Sequence, residues 1–196
     1  MTTDRSHTSD EQTTAKPSPF SQSPSTTPST HSTSWSGYAH VYGDHIDTDR
    51  IIAGKYTKTL DLQSLADHVL EDLDPDFRDR MQVGDIVVGR DNFGCGSSRE
   101  QAPLALKTAG VSAVIARYFA RIFYRNAINI GLVVLEIPDF EVNTGDHIQI
   151  DLEQGSVHNL TQDKVFTVKP LPPVMQSILS HGGLVNYLKH MIMIKK

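Results

Sequence analysis

From residue 37 onward the chain alternates short apolar runs with segments of helical spacing, each break marked by Gly or Pro. This alternation restricts it to folds that join parallel strands through crossover helices. The runs at 85–89, 112–116 and 131–137 are too short for helices and suit buried strands. Between them lie two helical segments, one beginning after Gly96 and closed by Gly110, the other over 119–128. Upstream, 38–42 reads as a strand and 44–50 as a polar loop. Leu62, Leu65, Ala66, Val69, Leu70 and Leu73 then recur at helical spacing until Asp74-Pro75 ends the helix. Downstream the period changes to two at 147–152 and 165–168, with Gln154-Gly155 as a turn and Pro172 opening a last helix to about residue 191. The expected class is α/β with a partly parallel sheet.

Composition sets the limits of that folded part. Ser and Thr fill 19 of the first 36 positions and Pro four more, so residues 1–36 cannot bury enough surface to offset their ordering entropy and read as a disordered tail. A transit peptide is the alternative, opposed by Asp4, Asp10 and Glu11, which outnumber Arg5 and Lys16. Residues 37–196 are then one domain. The net charge of −5 gives no general electrostatic attraction to nucleic acid or membrane, and no stretch of about 18 apolar residues exists, so a soluble, cytoplasmic protein is expected. One cysteine, Cys95, excludes an internal disulfide and a cysteine-held zinc or Fe–S site within this chain.

The densest chemistry is Asn92-Phe93-Gly94-Cys95-Gly96-Ser97-Ser98-Arg99-Glu100, between a strand and a helix. Two glycines allow a tight turn, and a helix N-terminus beside Arg99 makes a site for a carboxylate or phosphate. Ser97 to Glu100 also fits the S-x-x-E capping box, in which Ser97 only caps a helix. Pro103 opposes a helix that begins at Ser98, and a later start leaves the serines on an exposed loop. No P-loop, complete Rossmann fingerprint or G-x-S-x-G elbow is present. Asp44-His45-Ile46-Asp47-Thr48-Asp49-Arg50 lacks the Gly and distal Glu of a calcium loop and reads as a hydrogen-bonded loop feeding a cleft, with Arg50 held by neighbouring carboxylates. Arg117, Arg121 and Arg125 recur among aromatics, which suits either RNA binding or a helix with an aromatic core face and ion-paired arginines.

Three segments, in this order and spacing, resemble the swivelling domain of the aconitase superfamily, most closely the 3-isopropylmalate dehydratase small-subunit family. They are Asp47-Thr48-Asp49-Arg50-Ile51-Ile52 with Lys55-Tyr56, the 92–100 segment, and Phe119-Ala120-Arg121-Ile122-Phe123-Tyr124-Arg125-Asn126 with Gly131-Leu132. The resemblance covers about residues 37–196 and implies a swivelling β/β/α domain, as in the aconitase C-terminal domain, that closes over an Fe–S site on a large partner subunit. The family's [4Fe–4S] cluster needs three protein thiolates, so it is expected on that large subunit, in a heterodimer or heterotetramer, with none bound by this chain alone.

The implied reaction is a hydro-lyase isomerisation of 2-isopropylmalate and 3-isopropylmalate through 2-isopropylmaleate, in leucine biosynthesis. By the same resemblance Ser97, as an alkoxide, is the catalytic base, while Ser98 and Arg99 bind the substrate's carboxylate. A serine hydroxyl ionises far above neutral pH, so forming the alkoxide carries a large cost, which oriented N–H groups and Arg99 must offset. The resemblance further implies that the loop Tyr56-Thr57-Lys58 sets the choice of malate. Lys58 stands where archaeal isopropylmalate enzymes tend to carry an apolar residue and homoaconitase types an arginine. Its aliphatic stem can face an isopropyl group while the ammonium stays in water. Dimethylmalate, citramalate and homoaconitate types are the alternative substrates, and a non-enzymatic RNA-binding module is the alternative class.

Overall fold

The computed structural model describes residues 33–58 and 61–194, so most of the expected 1–36 tail lies outside the described residues. Among these residues, seven strands form one sheet, and strand β1 (Ser34–Val41) divides it in two. On one side β1 pairs in parallel with β2 (Ile86–Val88), which is followed by β3 (Ala113–Ala116) and β4 (Val133–Glu136), again in parallel. On the other side it pairs antiparallel with β5 (His147–Asp151), and β6 (Ser156–Asn159) and β7 (Lys164–Thr167) continue that half. The parallel half is covered by crossovers. Every residue of β2 and β3 is therefore buried and apolar, whereas β5 and β6 alternate between core and surface.

Helices α1 (Thr48–Ile51), α2 (Leu62–Asp67) and α3 (Phe77–Arg80) connect β1 to β2. Helix α4 (Gln101–Ala109), closed by Gly110 at φ 103, connects β2 to β3, and α5 (Arg121–Ile130) connects β3 to β4. Helices α6 (Pro173–Ser180) and α7 (Leu184–Ile194) end the described chain.

Several elements differ from the reading of the sequence. Strand β1 begins at Ser34, three residues before the expected boundary, because Ser34 and Ser36 occupy its solvent face while Trp35 packs against the core. The helix expected to run to Leu73 stops at Asp67. Leu70 adopts φ 60 and its N–H donates to the Ile51 carbonyl at 2.8 Å, so attachment to α1 overrides helical continuation while Leu65, Ala66, Val69 and Leu70 stay buried. The last helix is broken by Gly182 and Gly183, both at positive φ, whose N–H groups return to the carbonyls of Leu179 and Ile178 at 2.9 Å.

One buried carboxylate joins the antiparallel half. Asp146 is 5% exposed and accepts from the Asn143 N–H at 2.9 Å, Asn159 Nδ2 at 2.7 Å and Gln162 Nε2 at 2.5 Å. Burial opposes its charge, but these donors outweigh burial and hold Asp146 below the ordinary carboxylate range. Asp146→Ala leaves the fully buried Asn159 amide without this acceptor and is expected to cost about 2–4 kcal/mol in denaturant unfolding. Because the folded pKa is depressed, this stabilisation is present above the unfolded carboxylate pKa of ~3.9 and is lost as the pH falls through the folded one. Wild type and variant should converge in stability on acidification, and a gap that stays constant to the acid limit would refute this role.

Candidate active site

Strands β1, β2 and β3 lie side by side and parallel, so the segments leaving their carboxyl ends meet at one edge of the sheet, where open α/β sheets bind ligands. The segment after β2, residues 92–100, is the middle one. On one side the Gly94 N–H donates to the Ile46 carbonyl at 2.7 Å and the Thr48 N–H to the Cys95 carbonyl at 2.9 Å. On the other the Phe93 N–H donates to Tyr118 at 3.0 Å and the Ala120 N–H to Phe93 at 2.9 Å. Phe93 meets Phe119 and Phe123 edge-on, with ring centroids 5.8 and 5.3 Å apart. Gly94, at φ 77, is where the loop crosses α5, and a Cβ there would lie 2.2 Å from Phe123 Cγ.

Helix α4 starts at Gln101, with Glu100 at its N-cap and no side-chain cap. Ser97 therefore caps nothing, and Pro103, in the first turn, has no intrahelical N–H bond to lose. Ser97 and Ser98 are exposed, and neither hydroxyl has a hydrogen-bond partner among the described residues. The Asp-Thr-Asp segment holds this loop in place. Asp47 caps α1 by accepting from the Arg50 N–H at 2.8 Å, and the buried Thr48 donates its hydroxyl to the Ser97 carbonyl at 2.9 Å. Asp49 forms an ion pair with Arg99, which also reaches the Ile52 carbonyl at 3.4 Å. The expectation that these carboxylates hold the Arg50 side chain is corrected. Asp47 is the N-cap of α1 and is engaged by the Arg50 backbone N–H, while Asp49, adjacent to Arg50 and turned away from it, takes Arg99. Asp49 is 60% exposed, so the pair adds little stability and mainly aims the guanidinium.

Ser97, Ser98 and Arg99 line a cleft of ≈ 300 Å³ together with Thr48, Arg121 and Asn126. Among the described residues no carboxylate lines it, although the chain as a whole is acidic. Reading the sequence residue by residue missed Asn126 and placed Arg121 in a stripe with Arg117 and Arg125. Helix α5 begins at Arg121, so Arg117 falls outside it and pairs with Glu141 and, at 3.8 Å, Asp91. The signal that could have separated Arg121 was Ala120, a residue unable to cap a helix. A larger groove of ≈ 750 Å³ lies elsewhere and contains none of the residues of the 97–99 loop.

The expected specificity loop does not line the cleft. The Tyr56 ring stacks on His68 at 3.7 Å, Thr57 Oγ1 donates to the Gly54 carbonyl at 2.9 Å, and Lys58 is exposed. Its link to the site is Gly54, where a Cβ would lie 3.5 Å from both terminal nitrogens of Arg99. Cys95 is half-buried, and burial followed by the Asp47 charge pushes its thiol up, away from a reactive thiolate. Among the described residues no group of three His, Cys, Asp or Glu side chains could hold a metal ion. One thiol does not fit an Fe–S cluster, so this chain does not supply that ligand set.

Residues 45–140, which contain all three converging segments, match the aconitase C-terminal domain family. The 3-isopropylmalate dehydratase small subunits of Wolinella succinogenes and Caldicellulosiruptor bescii are each 53% identical to this chain, over 154 and 155 residues. These alignments cover 78% of this chain and 92% and 93% of the relatives. A crystal structure of 3-isopropylmalate dehydratase from Methanocaldococcus jannaschii superposes with a TM-score of 0.80 at 44% identity, covering 83% of this chain and 97% of that one. Identity at this level over nearly the full length of those relatives is shared descent, and this chain belongs to the 3-isopropylmalate dehydratase small-subunit family, which carries the aconitase C-terminal domain.

Proposed function

We propose that this chain is the small subunit of a cytoplasmic hydro-lyase that interconverts 2-isopropylmalate and 3-isopropylmalate, working with a large subunit that carries the [4Fe–4S] cluster. The observation that supports it most is Ser97: an exposed hydroxyl two residues from an arginine whose guanidinium is fixed, with no hydrogen-bond partner and no carboxylate in its cleft among the described residues. Such a cleft suits a dicarboxylate substrate, because a negative ligand meets arginines and hydroxyls and no like charge. Ser97, as an alkoxide, takes the proton from the carbon beside a carboxylate. The C–H electron pair becomes the double bond as the hydroxyl leaves the adjacent carbon, and water adding in the opposite sense returns a proton to one carbon and a hydroxyl to the other. Arg99 supplies the positive charge that favours the alkoxide, and Ser98 with Arg99 holds the neighbouring carboxylate. Lys58 does not line the cleft of this chain alone; exposed on the turn that follows Gly54, it meets the variable end of the malate when the large subunit closes the site.

The test is reconstitution. The chain is mixed with an Fe–S large subunit of the family, and the unsaturated intermediate is followed by its absorbance on isopropyl-, dimethyl- and methyl-substituted malates and on a homoaconitate-type substrate. Activity is expected only from the pair and highest on the isopropyl substrate, and Lys58→Arg should raise relative turnover of the substrate with a distal carboxylate. Turnover by this chain alone, or none on any malate from the pair, would refute the reading.

A further inference from the structure

The turn that carries Lys58 is held at two points, and only one of them belongs to the cleft. At its start Arg99 reaches the Ile52 carbonyl at 3.4 Å, and a Cβ at Gly54 would lie 3.5 Å from both terminal nitrogens of that guanidinium. The chain then turns, with the Tyr56 N–H donating to the Ala53 carbonyl at 2.9 Å and the Thr57 N–H to Gly54 at 3.3 Å. The second point lies in the segment after α2. The Tyr56 ring stacks on His68, with centroids 3.7 Å apart and planes 20° from parallel. The His68 ring is fixed in turn, because its Nδ1 lies 2.7 Å from the Ser64 carbonyl, an acceptor that requires the proton on Nδ1. Lys55 Nζ stands 4.6 Å from the centre of the Tyr56 ring and 3.9 Å from Glu71 Oε1. The backbone here is strained: Leu70 sits at φ 60, a region that bulky L-residues rarely enter. Strain of this kind marks a position that the surrounding structure holds against local preference. What the break in α2 achieves is to set residues 68–71 against residues 51–56 through His68 on Tyr56, Leu70 on Ile51 and Glu71 beside Lys55.

We infer that His68 is a positioning residue for substrate selection: by stacking on Tyr56 it presets the turn that carries Lys58, so that turn is ordered before the large subunit closes on it. The inference rests on the reading in which Lys58 meets the variable end of the malate. His68 acts through Tyr56 and touches no substrate. Without the stack, only a fraction of molecules hold the turn in the competent arrangement. Substrate binding weakens by that fraction, while the chemistry at Ser97 is untouched.

Two variants separate the stack from the helix-end bond. His68→Phe keeps a ring for Tyr56 and loses the donor to Ser64, whereas His68→Asn keeps a donor and loses the ring. His68 is only half-buried, so both should fold. In amide hydrogen exchange on the full chain, Tyr56 and Thr57 are expected to exchange about threefold to tenfold faster in His68→Asn and within about twofold of wild type in His68→Phe. The Leu70 amide, bonded to Ile51, should be unchanged in both. In the reconstituted enzyme, His68→Asn should raise KM for 3-isopropylmalate about threefold to tenfold with kcat within about twofold, and narrow the preference for isopropyl- over methyl-substituted malate. His68→Phe should stay near wild type. Should His68→Asn fail to fold, exchange of the Thr57 amide in Tyr56→Leu, which removes the stack from the loop side, decides the matter. Equal exchange in the Asn and Phe variants, or an unchanged KM in His68→Asn, would overturn the inference and leave the hydro-lyase reading intact. Wild-type enzyme inactive on every malate would instead overturn that reading, while the exchange rates still judge the stack.

Discussion

Ser97→Ala lowers kcat of the reconstituted enzyme by roughly 10³-fold or more and leaves the stability of the chain within about 0.5 kcal/mol of wild type. The two halves of this expectation come from the same geometry. Ser97 is exposed, its hydroxyl has no hydrogen-bond partner among the described residues, and α4 starts three residues after Ser98 without using a serine cap, so removing the oxygen removes no hydrogen bond among them. Its backbone carbonyl, which accepts the Thr48 hydroxyl at 2.9 Å, is kept by alanine, and the loop stays in place. What is lost is the proposed base, the group assigned to take the substrate proton. KM should change far less than kcat, because Ser98 and Arg99, the proposed carboxylate ligands, are left in place. A capping serine would show the reverse pattern, a stability loss of about 1 kcal/mol with near-normal turnover, and that result would remove Ser97 from the chemistry.

How the site could be read from sequence depended on what kind of contact makes it. The glycines, serines and Arg99 stand together in the chain, so their chemistry was visible without the fold. The parallel sheet was equally legible, since fully buried strands such as Val87 and its neighbours give unbroken apolar runs. Thr48 and Asn126 were not legible individually. Thr48 acts through the Ser97 carbonyl 49 residues away, and Asn126 reaches the cleft only because α5 packs beside the serine loop. Both are long-range facts with no local signal, apart from the family segment that contains them. The early end of α2 has the same origin, because the bond from Leu70 to Ile51 overrides a helical pattern that is intact in the sequence. The start of β1 was hidden for a different reason. A strand with serines on its solvent face has the composition of a tail, and only the inward Trp35 marks it as part of the fold.

Gly94→Ala is expected to damage both stability and turnover, which separates it from Ser97→Ala. An L-residue at φ 77 costs about 1–2 kcal/mol in backbone conformation alone. The added Cβ would also lie 2.2 Å from Phe123 Cγ, and Phe123 cannot retreat, being 2% exposed and packed against Phe93 and Phe119. The loop must lift instead, which breaks the 2.7 Å bond from the Gly94 N–H to Ile46 and moves Ser97 relative to Arg99. A total loss of about 3–5 kcal/mol in unfolding follows, and a displacement of ~1 Å at the base is enough to lower kcat/KM by about 10²-fold. A double-mutant cycle with Phe123→Ala separates the clash from the conformational cost. Phe123→Ala is destabilising by itself, but in the double variant the Cβ at position 94 has room, so the two losses should sum to at least about 1 kcal/mol less than their separate values. Strict additivity would mean that the loop does not rest on Phe123, and the account of how α5 positions Ser97 would fail with it.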